Sequence, residues 1–142
     1  MMSAPRVLYL SSWPMGAHGE GAVSFVYEQI AALSEHVRAV YVEHRFDSAF
    51  AWARRRAAGR DVEIIEDLWP ERVVALRVWT PRWSPRITRH GLLEAVWHAG
   101  AMVAGRAARL FGRVALVHAH VVLPAGLLGA AVVQALDVPL IL

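Results

Sequence analysis

Short apolar runs alternate along this chain with longer stretches of helical periodicity. Arg6 to Leu10 (RVLYL) is bounded by Ser11-Ser12-Trp13-Pro14, the pattern of a buried strand ending in a loop. Ser24 opens a stretch in which Phe25, Ile30 and Leu33 recur at helical spacing. Val37 to Val42 (VRAVYV) is rich in β-branched residues and reads as a second strand. Phe46 to Arg60 is helix-prone and heavy in arginine. Val73 to Trp79 (VVALRVW) is a third strand, stopped by Thr80-Pro81. From about Thr88 to Phe111 a longer helix sets Leu92, Val96, Val103 and Leu110 on one face. Arg106, Arg109 and Arg113 crowd the C-terminal end of that helix, where its dipole favours cations. Ala115 to His118 is a fourth strand, Pro124 to Leu136 a helix with proline in its first turn, and Val138 to Leu142 a fifth strand.

Strands that alternate with helices and are apolar on both faces predict a parallel sheet covered on both sides. The expected fold is α/β, a Rossmann-like doubly wound sheet, forming one domain over residues 1–142. Val114 to Val133 is long enough to cross a bilayer, but it carries His118, His120 and Pro124. A buried strand followed by a buried helix accounts for it better.

Composition narrows the function classes. With 142 residues, 56% hydrophobic and 19% charged, and a mean hydropathy of +0.36, the chain can bury a core and is not a disordered tail. The absence of cysteine excludes disulfide scaffolds, thiolate zinc sites and cysteine nucleophiles. The formal charge is only +3, yet the pI is near 10.2, because all fifteen basic residues are arginine. Asparagine is absent too. Abundant Ala, Gly and Val make this codon bias rather than selection for an anionic partner. Met1 to Pro5 is too short and uncharged to start a secretory signal, and Arg6 to Leu10 is a short apolar run without a cleavage site, so the expected location is cytoplasmic.

Three features could carry chemistry. The first is the loop Ser11 to Gly21, with Gly16, Gly19 and Gly21 at the carboxyl edge of the expected sheet and a helix N-terminus after it. Glycines there let the backbone approach a phosphate, although the spacing is neither the dinucleotide fingerprint nor a P-loop. Plain turn glycines are the competing explanation. The second is His118-Ala119-His120, whose imidazoles a strand would direct to one face. A metal pair would need further ligands, and only Asp137 follows, while His18, His36 and Asp47 are scattered. A hydrogen-bonded structural histidine, or a polar ligand contact facing the cleft, are the other readings. The third is the set of Trp69, Trp79, Trp83 and Trp97 among Arg72, Arg77, Arg82, Arg86 and Arg89. It suits a membrane surface with anionic lipid, or stacking on nucleic acid or sugars. Core tryptophans beside a solvated arginine face are favoured, since no clean basic amphipathic face separates out.

In combination, RVLYLSSWP (Arg6 to Pro14), the glycine loop, SFVYEQIAAL (Ser24 to Leu33) and VHAHVVLPAG (Val117 to Gly126), running on to Pro139-Leu140-Ile141-Leu142, resemble the N-terminal domain of a retaining GT-B glycosyltransferase of family 4. The resemblance spans the chain and is weakest between residues 45 and 90. It implies transfer of a sugar from a nucleotide-sugar donor to a glycan, lipid-linked or small-molecule acceptor, with no metal or resident cofactor and no nucleic-acid partner. The glycine loop would approach the donor phosphates through Gly16, Gly19 and Gly21, and His18, His118 and His120 would line the acceptor cleft. The family's active-site histidine follows the fifth strand in a Thr-x-His-Gly-like loop, and an E-x7-E pair lies in the C-terminal domain. Both fall beyond Leu142, so no catalytic residue is expected within this chain. The expectation is a truncated, inactive fragment of an enzyme of roughly 350 to 400 residues, a two-domain size. The whole enzyme would be cytoplasmic, with peripheral contact at the membrane's inner face as a further option. Two alternatives stand beside it: a non-catalytic Rossmann-like binding domain, and a metal-dependent hydrolase using His118 and His120.

Overall fold

The computed structural model describes residues 4–12, 24–65, 74–85, 87–120 and 122–142. In chain order the elements are β1 (Arg6–Ser11), α1 (Ser24–Leu33), β2 (Arg38–Asp47), α2 (Ala49–Ala57), β3 (Val62–Ile65), β4 (Val74–Pro81), α3 (Arg89–Phe111), β5 (Leu116–Ala119), α4 (Leu127–Leu136) and β6 (Leu140–Ile141). One turn of π-helix, Val122–Gly126, leads into α4. The sheet has the order β3-β4-β2-β1-β5-β6. All neighbouring strands run parallel except β3, which pairs antiparallel with β4. This is the Rossmann-like α/β architecture expected from the sequence. The chain builds one half of the sheet outward from β1 through β2 and β4, then crosses back to place β5 on the other side of β1.

Helices cover both faces. On one, Leu8, Leu10, Val40, Val42, Leu76, Val78 and Val117 form a core with Val96, Val103 and Ala107 of α3 and Leu128 and Val132 of α4. On the other, Val7, Tyr9, Ala39, Tyr41 and Ala75 pack with Ile30 of α1. The assignment follows from the two-residue pleat, which sends neighbouring side chains to opposite faces.

Three sequence expectations change. The second strand does not stop at Val42 but continues through Asp47, so the helix expected from Phe46 is only Ala49–Ala57. Charges at Glu43 and Arg45 resemble a strand end, but Glu43 is neutralised in register by Arg77 of β4 and by Arg45. The Ser48 hydroxyl then accepts the Ala51 N–H at 3.1 Å and starts α2. The sheet is not wholly parallel, because Val62–Ile65 adds an antiparallel edge. The fifth parallel strand is shorter than Val138 to Leu142, with only Leu140 and Ile141 paired to β5. Among the described residues no helix is long and apolar enough to cross a membrane, and the Val114 to Val133 run divides into β5, the π turn and part of α4.

α3 begins with the Thr88 hydroxyl accepting the Gly91 N–H at 3.0 Å and ends at Gly112, whose φ of 74° suits a glycine C-cap. Its buried stripe is small: Ala95, Ala99, Gly100, Ala104 and Ala107 between Val96 and Val103. Small side chains let α3 and α4 approach until a Cβ on Gly100 would lie 2.4 Å from the Ala131 Cβ and 3.0 Å from its carbonyl carbon. A Cβ on Gly105, in the same helix, would meet nothing within 4 Å. The two glycines should therefore respond oppositely to alanine. Gly100→Ala must push the helices apart and should destabilise by about 1–3 kcal/mol. Gly105→Ala should stabilise by about 0.5–1 kcal/mol through helix propensity. Urea unfolding of both variants checks this, and equal effects would refute the packing argument.

Candidate functional site

The chain reverses direction across the sheet between β1 and β5, so the crevice of such a fold lies at the carboxyl ends of these two strands. The register sets Tyr9 opposite His118, and the His120 N–H donates to the Leu10 carbonyl at 2.9 Å, just beyond β5. Alternation sends Tyr9, Ser11, His118 and His120 to the α1 face. The imidazoles of His118 and His120 stack with centroids 4.5 Å apart, and the Tyr9 ring lies 5.5 Å from His118 and 6.2 Å from His120. The spacing of two in the sequence is enough to bring the histidines together.

Both imidazoles are held in the neutral form. Burial lowers the pKa of His118. Burial, and then repulsion from His118, lowers that of His120. Burial raises the Tyr9 phenol. A neutral imidazole offers one donor and one acceptor. The His120 Nε2 is buried without a hydrogen-bond partner among the described residues. Among them, too, no group of three or more histidine or acidic side chains is placed to hold a metal ion.

On the same face, two strands away on β2, lies a carboxylate that the sequence pattern does not single out. Glu43 aligns with Ser11 on one side and Arg77 on the other, and its side chain is fully buried. Arg77 donates to the Glu43 Oε2 through Nε at 3.1 Å and Nη2 at 2.9 Å, and Arg45 pairs with Oε1 through Nε. A carboxylate engaged on both oxygens is pinned, so its role is to hold β2 to β4. The sequence signal is faint: Glu43 and Arg45 are two apart and therefore share a face. On the opposite face, His44 meets the Thr80 hydroxyl at 2.7 Å. Its burial pushes the pKa down to about 4.

The other residues expected at the site divide as follows. Gly16, His18, Gly19 and Gly21 lie outside the described residues. The expected tryptophan–arginine cluster separates. Trp79 is buried on the α1 face, with the Arg55 guanidinium 4.0 Å from its ring. Arg77 is committed to Glu43, Trp97 sits exposed on α3, and Trp83 is exposed after β4. Trp69, Arg72 and Arg86 lie outside the described residues. The cavity of about 500 Å³ lined by Arg6, Ser34, Val37, Arg38 and Phe111 is at the amino edge of the sheet, away from the crevice.

Fold and site together define a Rossmann-like α/β domain with a polar, aromatic cluster at its topological switch point. No family model and no curated protein matches the chain.

Two outcomes test the electrostatics. Glu43→Ala leaves two guanidiniums facing one another, and should cost about 2–3 kcal/mol. That is less than for a wholly buried pair, because Arg45 and Arg77 reach solvent. Denaturant unfolding that shows no loss would remove Glu43 as the tie between β2 and β4. His44 has a folded pKa near 4 against an ordinary 6.5, so the unfolded chain binds more protons between those values. Stability should be intact above pH 6.5 and fall by about 3 kcal/mol as pH drops to 4. His118 and His120 add in the same direction. Urea titrations at pH 7 and pH 4.5 measure this, and His44→Gln should shrink the difference.

Proposed function

We propose that this chain is the acceptor-side, N-terminal domain of a retaining GT-B glycosyltransferase of family 4, working with a nucleotide-sugar donor. The observation that carries the reading is the convergence of Tyr9, His118 and His120 on one face at the switch point, on the two strands whose sequences carry the resemblance. In this reading the neutral imidazoles hydrogen-bond acceptor hydroxyls. A charged imidazole could only donate, whereas a hydroxyl poised to attack needs groups that accept as well as donate. The His120 Nε2, buried without a hydrogen-bond partner among the described residues, supports this reading. The resemblance assigns the donor diphosphate to Gly16, Gly19 and Gly21, which lie outside the described residues and precede α1 in the sequence. Glu43, clamped by Arg45 and Arg77, keeps its charge away from the reacting hydroxyl and serves as a scaffold. The glycosidic chemistry itself uses groups of a donor-binding domain. A non-catalytic Rossmann-like binding domain is the competing reading.

Reading the gene past Leu142 separates the two. The transferase predicts a Thr-x-His-Gly-like loop and then a second domain with E-x7-E, while a stop codon directly after Leu142 would defeat it. In the two-domain protein, His120→Ala should lower kcat/KM for the acceptor by about tenfold, the scale of one lost hydrogen bond, with donor KM unchanged. The 142-residue chain alone should show no turnover with nucleotide sugars.

A further inference from the structure

Two strands of this sheet open on arginine, β1 on Arg6 and β2 on Arg38. Parallel pairing sets the two side by side in register. The pleat sends both to the face that carries Leu8, Val40 and Leu76. Like charges paired across strands repel. Elsewhere in the chain the half-buried arginines Arg55 and Arg77 meet carboxylates. Arg6 is half-buried too, yet neither it nor Arg38 has an acidic partner among the described residues. Arg6 turns toward the end of α3, where a Cβ on Gly112 would lie 3.3 Å from its Nη1, and the carbonyl end of that helix offsets part of its charge. Arg38 stands exposed at the sheet edge.

Both arginines line the cavity of about 500 Å³ at the amino edge. Much of the remaining wall is apolar: Val37 and Val40 around the start of β2, Val74 at the start of β4, and Leu110 and Phe111 in the last turn of α3. Val74 and Leu110 are 37% and 45% exposed, so this wall faces water. A second cavity of about 300 Å³ shares Ala4 and Arg6 with the first and adds Arg113. Among the described residues no acidic side chain lines either cavity.

We propose that the amino-edge cavity binds a small amphipathic anion, a carboxylate or phosphate head on a compact apolar body. The head sits between Arg6 and Arg38, whose planar guanidiniums offer paired N–H donors to such oxygens. The body lies against Val40, Val74, Leu110 and Phe111, in a volume that suits a small-molecule ligand. A bare inorganic anion would leave the apolar wall wet, and an uncharged ligand would leave two guanidiniums repelling each other. This site is at the opposite edge of the sheet from the crevice and does not depend on the reading of the Tyr9–His118–His120 cluster.

Isothermal titration calorimetry of the 142-residue chain at low salt tests the proposal with naphthaleneacetate and naphthyl phosphate. At least one of these anions should bind at a single site, and the tighter of them names the head group. Naphthaleneacetamide, which lacks the charge, and inorganic phosphate, which lacks the ring, should each bind at least about tenfold more weakly. Arg38→Gln should weaken binding of the naphthyl anion about tenfold, the scale of one lost charge-assisted hydrogen bond. It should also raise the melting temperature of the free chain, because it removes a repulsion. Leu110→Ser should weaken binding as well, whereas Arg54→Gln, on α2, should leave it unchanged. Both Arg38 and Leu110 are exposed, so circular dichroism should show these variants folded. Binding of neither naphthyl anion overturns the proposal. So does equal affinity for the amide or for inorganic phosphate, or affinity unchanged in both Arg38→Gln and Leu110→Ser. A lower melting temperature for Arg38→Gln overturns it too, by making Arg38 a structural residue.

Discussion

In a sheet covered by helices on both faces, the pleat commits every strand side chain to one core or the other. Here that constraint determines the fold and the site together. Leu8 and Leu10, Val40 and Val42, Leu76 and Val78 go to the α3–α4 side, while Val7, Tyr9, Ala39, Tyr41 and Ala75 go to the α1 side. Continue the same alternation toward the carboxyl ends and the α1 side becomes polar: Ser11, Glu43, Arg77, His118 and His120. A register slip of one residue on any central strand would bury these groups under α3 and expose the leucines and valines. The register that forms the core is therefore the register that assembles the cluster.

The parts of this arrangement legible in the sequence are those that depend on period alone. β1, α3 and the paired orientation of His118 and His120 follow from spacings of two and of three to four. The pattern makes β2 too short, because Glu43 and Arg45 resemble a strand end when viewed along one segment. Their neutralising partner, Arg77, is 34 residues away and becomes visible only once β2 and β4 are in register. β3 escapes the pattern for a related reason. It has four residues, one of them Glu63, and its charge is met by Arg60 and Arg55 from outside the strand. Tertiary pairing overrides local pattern in both cases.

Arginine, the sole strong base of this chain, takes different roles according to depth. Arg77 uses its planar fork on a buried carboxylate, which a lysine could meet only as a point charge. Arg55 sits between Trp79 and two acids, Asp47 and Glu63, and so ties α2 to the sheet in place of an apolar contact. That explains how a helix without a buried residue stays attached. It also fits the exposure of Phe50, which the anchorage through Arg55 does not use.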